Sequence, residues 1–416
     1  MLFGYNIFLR LYKAGISVAS LWNEKAKKWI DGRKDWQRKL TPEWIVSTNN
    51  QTVWMHCASL GEFEQGRPIL EKIKLQFPHA RIILTFFSPS GYEIRKNYEK
   101  ADYVMYLPLD SKENAAAFLD LIKPQLAIFV KYEFWHYYLQ ELKKRKIETI
   151  LVSGIFRSSQ PFFQWWGSFH RNMLNNFSHL FVQNKGSEGL LDGIGLGDKT
   201  SIAGDTRFDR VLEAVEQWKP VQHVDDFCTD QLVIVAGSTW PQDEAILSEF
   251  INGHGDYQKL IIAPHEIKDE NIKRIKSLFP DSILFSELST QQSPATSYRV
   301  LIIDNIGYLS RLYKYASVCY VGGGFNKSGH HNILEAAVYA KPVITGPNFQ
   351  KFKESVDLKK LKGSFVIENA AELKQVLLTM NIQEAGTIAA DYVRENGGAT
   401  DAIFNWLQEK RLFTNA

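Results

Sequence analysis

Residues 318–347 read Val-Cys-Tyr-Val-Gly-Gly-Gly-Phe-Asn-Lys-Ser-Gly-His-His-Asn-Ile-Leu-Glu-Ala-Ala-Val-Tyr-Ala-Lys-Pro-Val-Ile-Thr-Gly-Pro. Val318, Cys319, Tyr320 and Val321 form a short apolar run of β-branched and aromatic type, which Gly322, Gly323 and Gly324 break. Helical spacing starts near Asn332, with Leu334, Ala337 and Val338 on one face, and stops before Lys341-Pro342. A second apolar run, Val343-Ile344-Thr345, ends at Gly346-Pro347. Strand, glycine loop, helix and strand make a βαβ unit, which belongs in a parallel sheet.

Three glycines let a ligand approach the backbone, and a helix N-terminus just beyond them offers N–H groups to an anion such as phosphate. Asn332 and Glu335 lie three apart on one side of that helix, where a carboxylate could accept hydrogen bonds from ribose hydroxyls. The same residues also read as a glycine-rich turn followed by a charged helix face.

The run Gly-Gly-Gly-Phe-x-x-x-Gly-x-His-Asn-x-Leu-Glu, followed by Pro-Val-x-x-Gly-Pro, resembles the nucleotide-binding segment of the bacterial 3-deoxy-D-manno-octulosonic acid (Kdo) transferases. That family has a two-domain GT-B fold.

The rest of the chain is compatible with such a protein. Its 416 residues exceed one ordinary core and suit two domains of about 200 residues each. Cys57, Cys228 and Cys319 are odd in number and widely spaced, with no Cys-x-x-Cys, which excludes a disulfide framework or zinc ribbon and suits a reducing cytoplasm. Residues 1–40 carry nine Lys or Arg against three acids, and residues 41–416 carry 40 against 43, so positive charge is concentrated at the front.

Arg10 and Lys13 interrupt the apolar residues 1–22, leaving no uncharged stretch long enough for a spanning helix. The charge follows rather than precedes the apolar part, which fits a signal peptide poorly. Trp22, Trp29 and Trp36 alternate with Lys25, Lys27, Lys28, Arg33 and Lys34, as in an interfacial helix on an anionic membrane face. An ordinary docked helix with a solvated basic face explains the pattern as well.

Residues 53–58 predict a first strand, and Ser59-Leu60-Gly61-Glu62 leads into a helix over 63–76. An acid at a strand's carboxyl end lies where open α/β sheets build their sites, so Glu62 is the candidate general base; it also fits a plain first helical turn. Ser59-x-Gly61-Glu62 resembles the family's catalytic motif, which favours Glu62 over Glu64. Ser88 and Ser90 stand in the turn after a second strand, as acceptor contacts or a helix cap.

Lys131-Tyr132-Glu133-Phe134-Trp135 follows a buried strand where the family reads Glu-Thr-Glu-x-Trp-Pro, so Glu133 and Trp135 match while Lys131 and His136 depart. Glu133 would be a second catalytic carboxylate, or a structural ion pair. Arg157 matches a family Arg and offers a cation to acidic acceptor groups. The aromatics Phe162, Phe163, Trp165, Trp166 and Phe169 read as an exposed lipid patch or as a buried helix.

In the second half, Gly237-Ser238-Thr239 resembles the family's Gly-Ser-Thr turn and would contact the donor. Pro264-His265-Glu266 stands where the family has Pro-Arg-His, so a charged donor contact of the family is missing and His265 would replace it only when protonated.

The resemblance implies an α/β fold of two Rossmann-like domains facing across a cleft. Residues 1–40 are expected to be a membrane-associating segment, 41–219 the acceptor domain and 220–416 the donor domain, with the C-terminal helices packing back on the first. The implied reaction moves Kdo from CMP-Kdo, with inversion, to a lipid A precursor such as lipid IVA, at the cytoplasmic face of the inner membrane. No cofactor or nucleic-acid partner is expected. No catalytic metal is expected either, since His330 and His331 are adjacent and lack the i,i+4 spacing of a helical zinc pair. Competing readings are a GT-B enzyme acting on a UDP-sugar, as transferase or epimerase, and a non-catalytic membrane-associated relative.

Overall fold

Seven short runs of buried β-branched and aromatic residues build a parallel sheet from the first half of the chain: β1 (Thr52–Cys57), β2 (Arg81–Phe86), β3 (Tyr103–Tyr106), β4 (Leu126–Val130), β5 (Glu148–Gly154), β6 (His179–Val182) and β7 (Thr200–Ile202). Their order is β3-β2-β1-β4-β5-β6-β7. The computed structural model describes residues 1–40, 51–228, 231–253, 258–289 and 294–413.

Strand alternation gives this sheet two apolar faces. Trp54 of β1 packs with Phe118, Phe129 and Tyr138 on one side, while Val53, Met55 and Cys57 pack with Phe63, Ile69 and Leu84 on the other. Helices cover both faces, as a buried parallel sheet requires.

The second half repeats the design with β8 (Leu232–Thr239), β9 (Gln258–Pro264), β10 (Ser282–Leu284), β11 (Val300–Ile302), β12 (Val318–Val321), β13 (Val343–Thr345) and β14 (Ser364–Val366). These are also all parallel, in the order β10-β11-β9-β8-β12-β13-β14.

The chain divides into Met1–Arg210 with Gly397–Ala416, and Val211–Asn396. This is earlier than the expected division at 219/220, because the segment read as a linker packs within the second unit. Trp218 donates from Nε1 to the Arg311 carbonyl at 3.0 Å, and Lys314 Nζ lies 3.9 Å over the Trp218 ring. The expected domain start at 41 lies outside the described residues.

The last helix, Ala399–Glu409, is part of the first unit. Asp209 caps it, accepting from the Gly398 N–H at 2.5 Å and the Thr400 N–H at 2.6 Å.

Residues 1–40 also pack on the first unit. Their helices are α1 (Leu2–Ala19) and α2 (Glu24–Arg33). Tyr5 donates to the buried Asp110 carboxylate at 2.6 Å, and Asp110 in turn accepts from the Tyr137 and Tyr138 N–H groups at the start of the helix His136–Lys144. Arg33 donates to the Leu107, Trp29 and Phe87 carbonyls. Among the described residues, no helix is long and apolar enough to cross a membrane.

Candidate functional site

In each sheet the chain starts in the middle, fills one side, with β11 inserted between β9 and the edge strand β10 in the second sheet, and then returns to step the other way. The first unit reverses between β1 and β4, and the second between β8 and β12. Loops leaving two adjacent strands in opposite directions open a crevice at the carboxyl edge, where ligands of such sheets bind.

In the first unit Ser59 is the N-cap of the helix Leu60–Gln76, which starts three residues before its expected position and puts Glu62 in its first turn. The Ser59 hydroxyl donates to the Glu62 carboxylate. Glu62 is half-buried, whereas Glu64 pairs with Arg95 at 2.7 Å and lies 3.7 Å from both Arg67 and Arg210. Glu64 therefore has a structural occupation that Glu62 lacks. The β2 loop adjoins this one: the Ser88 N–H donates to the Ala58 carbonyl at 2.8 Å, and the Ser88 and Ser90 hydroxyls are 2.7 Å apart.

Glu133 follows β4 and is buried. Its Oε2 accepts from His56 Nε2 at 2.8 Å and from Trp135 Nε1 at 2.7 Å. His56 is fully buried in β1, with Nδ1 2.8 Å from the Thr85 hydroxyl, which also accepts from Trp54 Nε1. The ion-pair reading of Glu133 would have its partner in His56, which carries charge only when protonated. Burial pushes the Cys57 thiol up, and the charges of Glu62, Glu133 and Glu64 push it further. Burial raises the Tyr132 pKa, with the Arg157 cation opposing and the Glu62 carboxylate adding to it, while Arg157 itself is exposed. Ser59, Glu62, Glu133, Arg157, Ser88 and Ser90 thus gather along one edge of one sheet. Lys131 and Ser153 there adopt φ +67° and +52°, left-handed values that are uncommon for non-glycine residues.

In the second unit the glycines serve the chain itself. A Cβ on Gly322 would strike the backbone of Ser238 and Thr239, and one on Gly324 would strike Gly346, so these glycines let neighbouring loops touch. The Gly322 N–H donates to the Gly237 carbonyl, and the Gly323 N–H to the buried Asp243 carboxylate at 2.9 Å. Asp243 also accepts from Tyr320 and the Trp240 N–H, and its burial raises its pKa.

The helix expected from Asn332 is one turn, Leu334–Ala337, and the chain leaves it through Ala340 at φ +57°. The anion seat at the start of a longer helix is therefore corrected. Asn332 donates to Glu335 at 3.2 Å, so those two do share a side.

Beside this loop Trp240 stacks on exposed His265 at 4.7 Å, and His265 lies 4.5 Å from His331. Trp240 Nε1 donates to His331 Nε2 at 3.2 Å. Burial, then the neighbouring His265 and His330, hold His331 down at a pKa of about 4, so it is neutral at pH 7. A cavity of 370 Å³ opens beside Thr239, Trp240, His265 and Arg274, just past Pro264 at the end of β9. Thr239 donates to Glu244, which Arg274 neutralises, and Ser238 adopts φ +53°. Gly237, Ser238, Thr239, Pro264, His265 and Gly322 to Gly324 thus surround one switch point.

Sequence reading passed over His56, Tyr132, Asp243 and Trp240. The signal for His56 was present, since a histidine inside a wholly apolar strand must have a buried partner. Among the described residues, no group of three His, Cys, Asp or Glu side chains is placed to hold a metal ion.

The family model described as 3-deoxy-D-manno-octulosonic-acid transferase (kdotransferase) matches residues 34–210. A bifunctional glycosyltransferase/methyltransferase of Fusobacterium nucleatum is 25% identical over 86% of this chain, which spans 56% of that protein's length. A 3-deoxy-D-manno-octulosonic acid transferase of Rickettsia bellii is 28% identical over 79% of each chain. In fold, the UDP-GlcNAc 2-epimerase of Neisseria meningitidis bound to UDP-GlcNAc is similar at TM-score 0.60 and 15% identity, over 86% of this chain and all of that one. Two parallel-sheet α/β domains with GT-B neighbours give the fold, and residues 34–210 match the 3-deoxy-D-manno-octulosonic-acid transferase model, to whose members the chain is similar at 25–28% identity over most of its length.

Proposed function

We propose that this chain is an inverting glycosyltransferase that moves Kdo from CMP-Kdo to a phosphorylated lipid A precursor such as lipid IVA, in lipopolysaccharide synthesis. The observation that carries the reading is Glu62: an acid with no ion-pair partner among the described residues, in the first helical turn at the switch point of the unit that matches the transferase family model. An ionised carboxylate there accepts the proton from an acceptor hydroxyl as its oxygen attacks the anomeric carbon opposite CMP. The sugar passes through an oxocarbenium-like state, and departing CMP takes the bond's electrons.

Arg157 would meet acidic acceptor groups, with Ser59, Ser88 and Ser90 as hydroxyl contacts. Glu133, held by His56 and Trp135, would orient the acceptor rather than take its proton. The second unit would hold the donor through Gly237 to Thr239, Pro264, His265, Gly322 to Gly324, Asn332 and Glu335. The Gly322 and Gly323 N–H groups are already engaged within the chain, so neutral His331 and Ser238 would add to the contacts that meet the leaving phosphate.

The outward side of α1 would lie in the cytoplasmic face of the inner membrane, its apolar residues Phe3, Phe8 and Leu11 inserted and the basic residues of 1–40 against anionic lipid.

The test is product mass after incubating the full chain with lipid IVA, Kdo and a CMP-Kdo-generating enzyme. A gain of one or more Kdo units is expected. Stabilisation against heat by UDP and not CMP, with no product, would favour the UDP-sugar reading; stabilisation by CMP without turnover would favour a non-catalytic relative.

A further inference from the structure

Beneath α1 lies a cavity of 370 Å³ whose lining includes Lys13, Arg33 and Lys34 and no acidic residue. Its walls are apolar and aromatic: Trp29 and Trp36 from the N-terminal helices, Pro108 and Leu109 from the loop after β3. Ser17 and Asn114 add neutral hydrogen-bonding groups.

The three cations differ in what already occupies them. Lys34 reaches Asp31 at 2.7 Å on the surface. Lys13 has no ion-pair partner among the described residues. Arg33 is held by carbonyls of Leu107, Trp29 and Phe87 and by the ring of Trp29 at 3.9 Å, with no carboxylate among these partners. Burial pulls its pKa down to about 9, as expected for a cation short of a counter-charge. A guanidinium fixed in this way can still offer its remaining N–H groups to a phosphate.

The cavity adjoins an apolar surface. Lys13 and Ser17 are one turn apart on α1, and the same helix exposes Phe3, Phe8, Leu11 and Val18 to solvent. A ligand with an anionic head in the cavity would lay its tails along that stripe. Soluble anions match the cations but not the aromatic walls.

We propose that this cavity is a binding site for the phosphate head of an anionic lipid. The phosphate lies between Lys13 and Arg33, the head's backbone packs on Trp29 and Trp36, and the acyl chains leave along α1. A bilayer phospholipid and the acceptor both carry this chemistry, and the site is argued for the shared group, a phosphate on an acylated scaffold.

The full chain, without donor, is titrated calorimetrically with dihexanoyl phosphatidylglycerol below its micelle concentration. Dihexanoyl phosphatidylcholine and glycerol 1-phosphate are the comparison ligands. Saturable one-site binding of the anionic lipid is expected, about tenfold or more tighter than either comparison. Ser17→Trp, at an exposed helical position, fills the mouth without altering charge and should weaken the site about tenfold at an unchanged melting temperature. Lys13→Gln should do the same.

Tighter displacement by lipid IVA would assign the phosphate to the acceptor, and weaker displacement to the bilayer; either supports the site. Glycerol 1-phosphate binding as tightly as the lipid, no saturation, or binding indifferent to Ser17→Trp would each overturn it. Because no turnover is read, the outcome does not depend on the proposed transfer reaction.

Discussion

His56 Nε2 lies 2.8 Å from Glu133 Oε2, a contact between the middle of the sheet at β1 and the loop leaving β4. Both side chains are buried, and Trp135 donates to the same oxygen. Trp135 also packs on Phe87 at 4.8 Å, and Phe87 packs on Trp29 of α2 at 5.7 Å. A row of contacts thus joins the N-terminal helices to the candidate acceptor edge. Removing one partner of such a buried hydrogen-bonded pair leaves the other unsatisfied, at a cost of about 1–3 kcal/mol. Glu133→Ala should lower the stability of the first unit by that order in urea denaturation, and Glu133→Gln, which keeps an acceptor for both N–H groups, by clearly less. Equal stability of Glu133→Ala and the parent would show that the pair contributes nothing to folding.

Asp110 supplies a pH signature. Burial holds its pKa up at about 6 against 3.8 for the free side chain, despite the opposing hydrogen bonds from Tyr5, Tyr137 and Tyr138. For an acid with a raised folded pKa, the folded state binds the proton more tightly than the unfolded chain. This contribution is full below pH 4 and is lost as pH rises through 6, by roughly 3 kcal/mol in all. Asp110→Asn should remove it, so the stability difference between parent and variant must change between pH 4 and 6 and level off above 7. A difference that is flat from pH 4 to 6 would contradict the assignment.

The outward side of α1 can be tested without removing the helix, which truncation would not permit, since Tyr5 and Asn6 bond to Asp110 and Tyr137. Phe3, Phe8 and Leu11 are 78%, 60% and 66% exposed, so replacing all three with Ser should leave the fold intact. Each buried apolar side chain is worth about 1.5–3 kcal/mol in transfer, and partition onto anionic vesicles should fall at least 100-fold. Sedimentation with vesicles as strong as the parent's would rule out α1 as the anchor.

Glu335 was read from its spacing to Asn332, and the two are hydrogen-bonded. If Glu335 accepts from the ribose, Glu335→Ala should weaken CMP binding by about 1–3 kcal/mol and Glu335→Gln by less. Unchanged CMP affinity in a folded Glu335→Ala protein would confine the residue to tying down its own turn.

The strands were legible and the glycines were not. The Val318–Val321 strand lies where continuous apolar spacing put it, because a strand buried on both faces advertises itself in consecutive residues. What faces Gly322 is Ser238, which only strand pairing brings near, so local sequence left ligand approach and chain approach indistinguishable. The helix after Asn332 was overextended because the apolar spacing of Leu334, Ala337 and Val338 fits one turn as well as three. The aromatic cluster divides between both of its readings: Phe162 is buried, while Trp165 is 90% exposed. Asp110 was passed over because its partners, Tyr5 and Tyr137, lie far from it in sequence on other elements.

The decisive substitution is Glu62→Gln, which preserves size and accepts the Ser59 hydrogen bond but cannot take up a proton. Loss of a general base costs about 100- to 10,000-fold in rate, so kcat should fall by that factor. CMP binds to groups of the second unit in the proposed reaction, so CMP affinity and melting temperature should stay near the parent's. Glu64→Gln is the control. It loosens the contacts to Arg95, Arg67 and Arg210 and should cost about 1 kcal/mol or less of stability while turnover persists. Exogenous formate, a small base able to occupy part of the missing carboxylate's place in Glu62→Ala, should restore part of the rate there and none in Glu64→Ala. Near-normal turnover by Glu62→Gln would remove Glu62 from the base role. It would also bring Glu133 forward, whose second oxygen, Oε1, is not the atom held by His56 and Trp135.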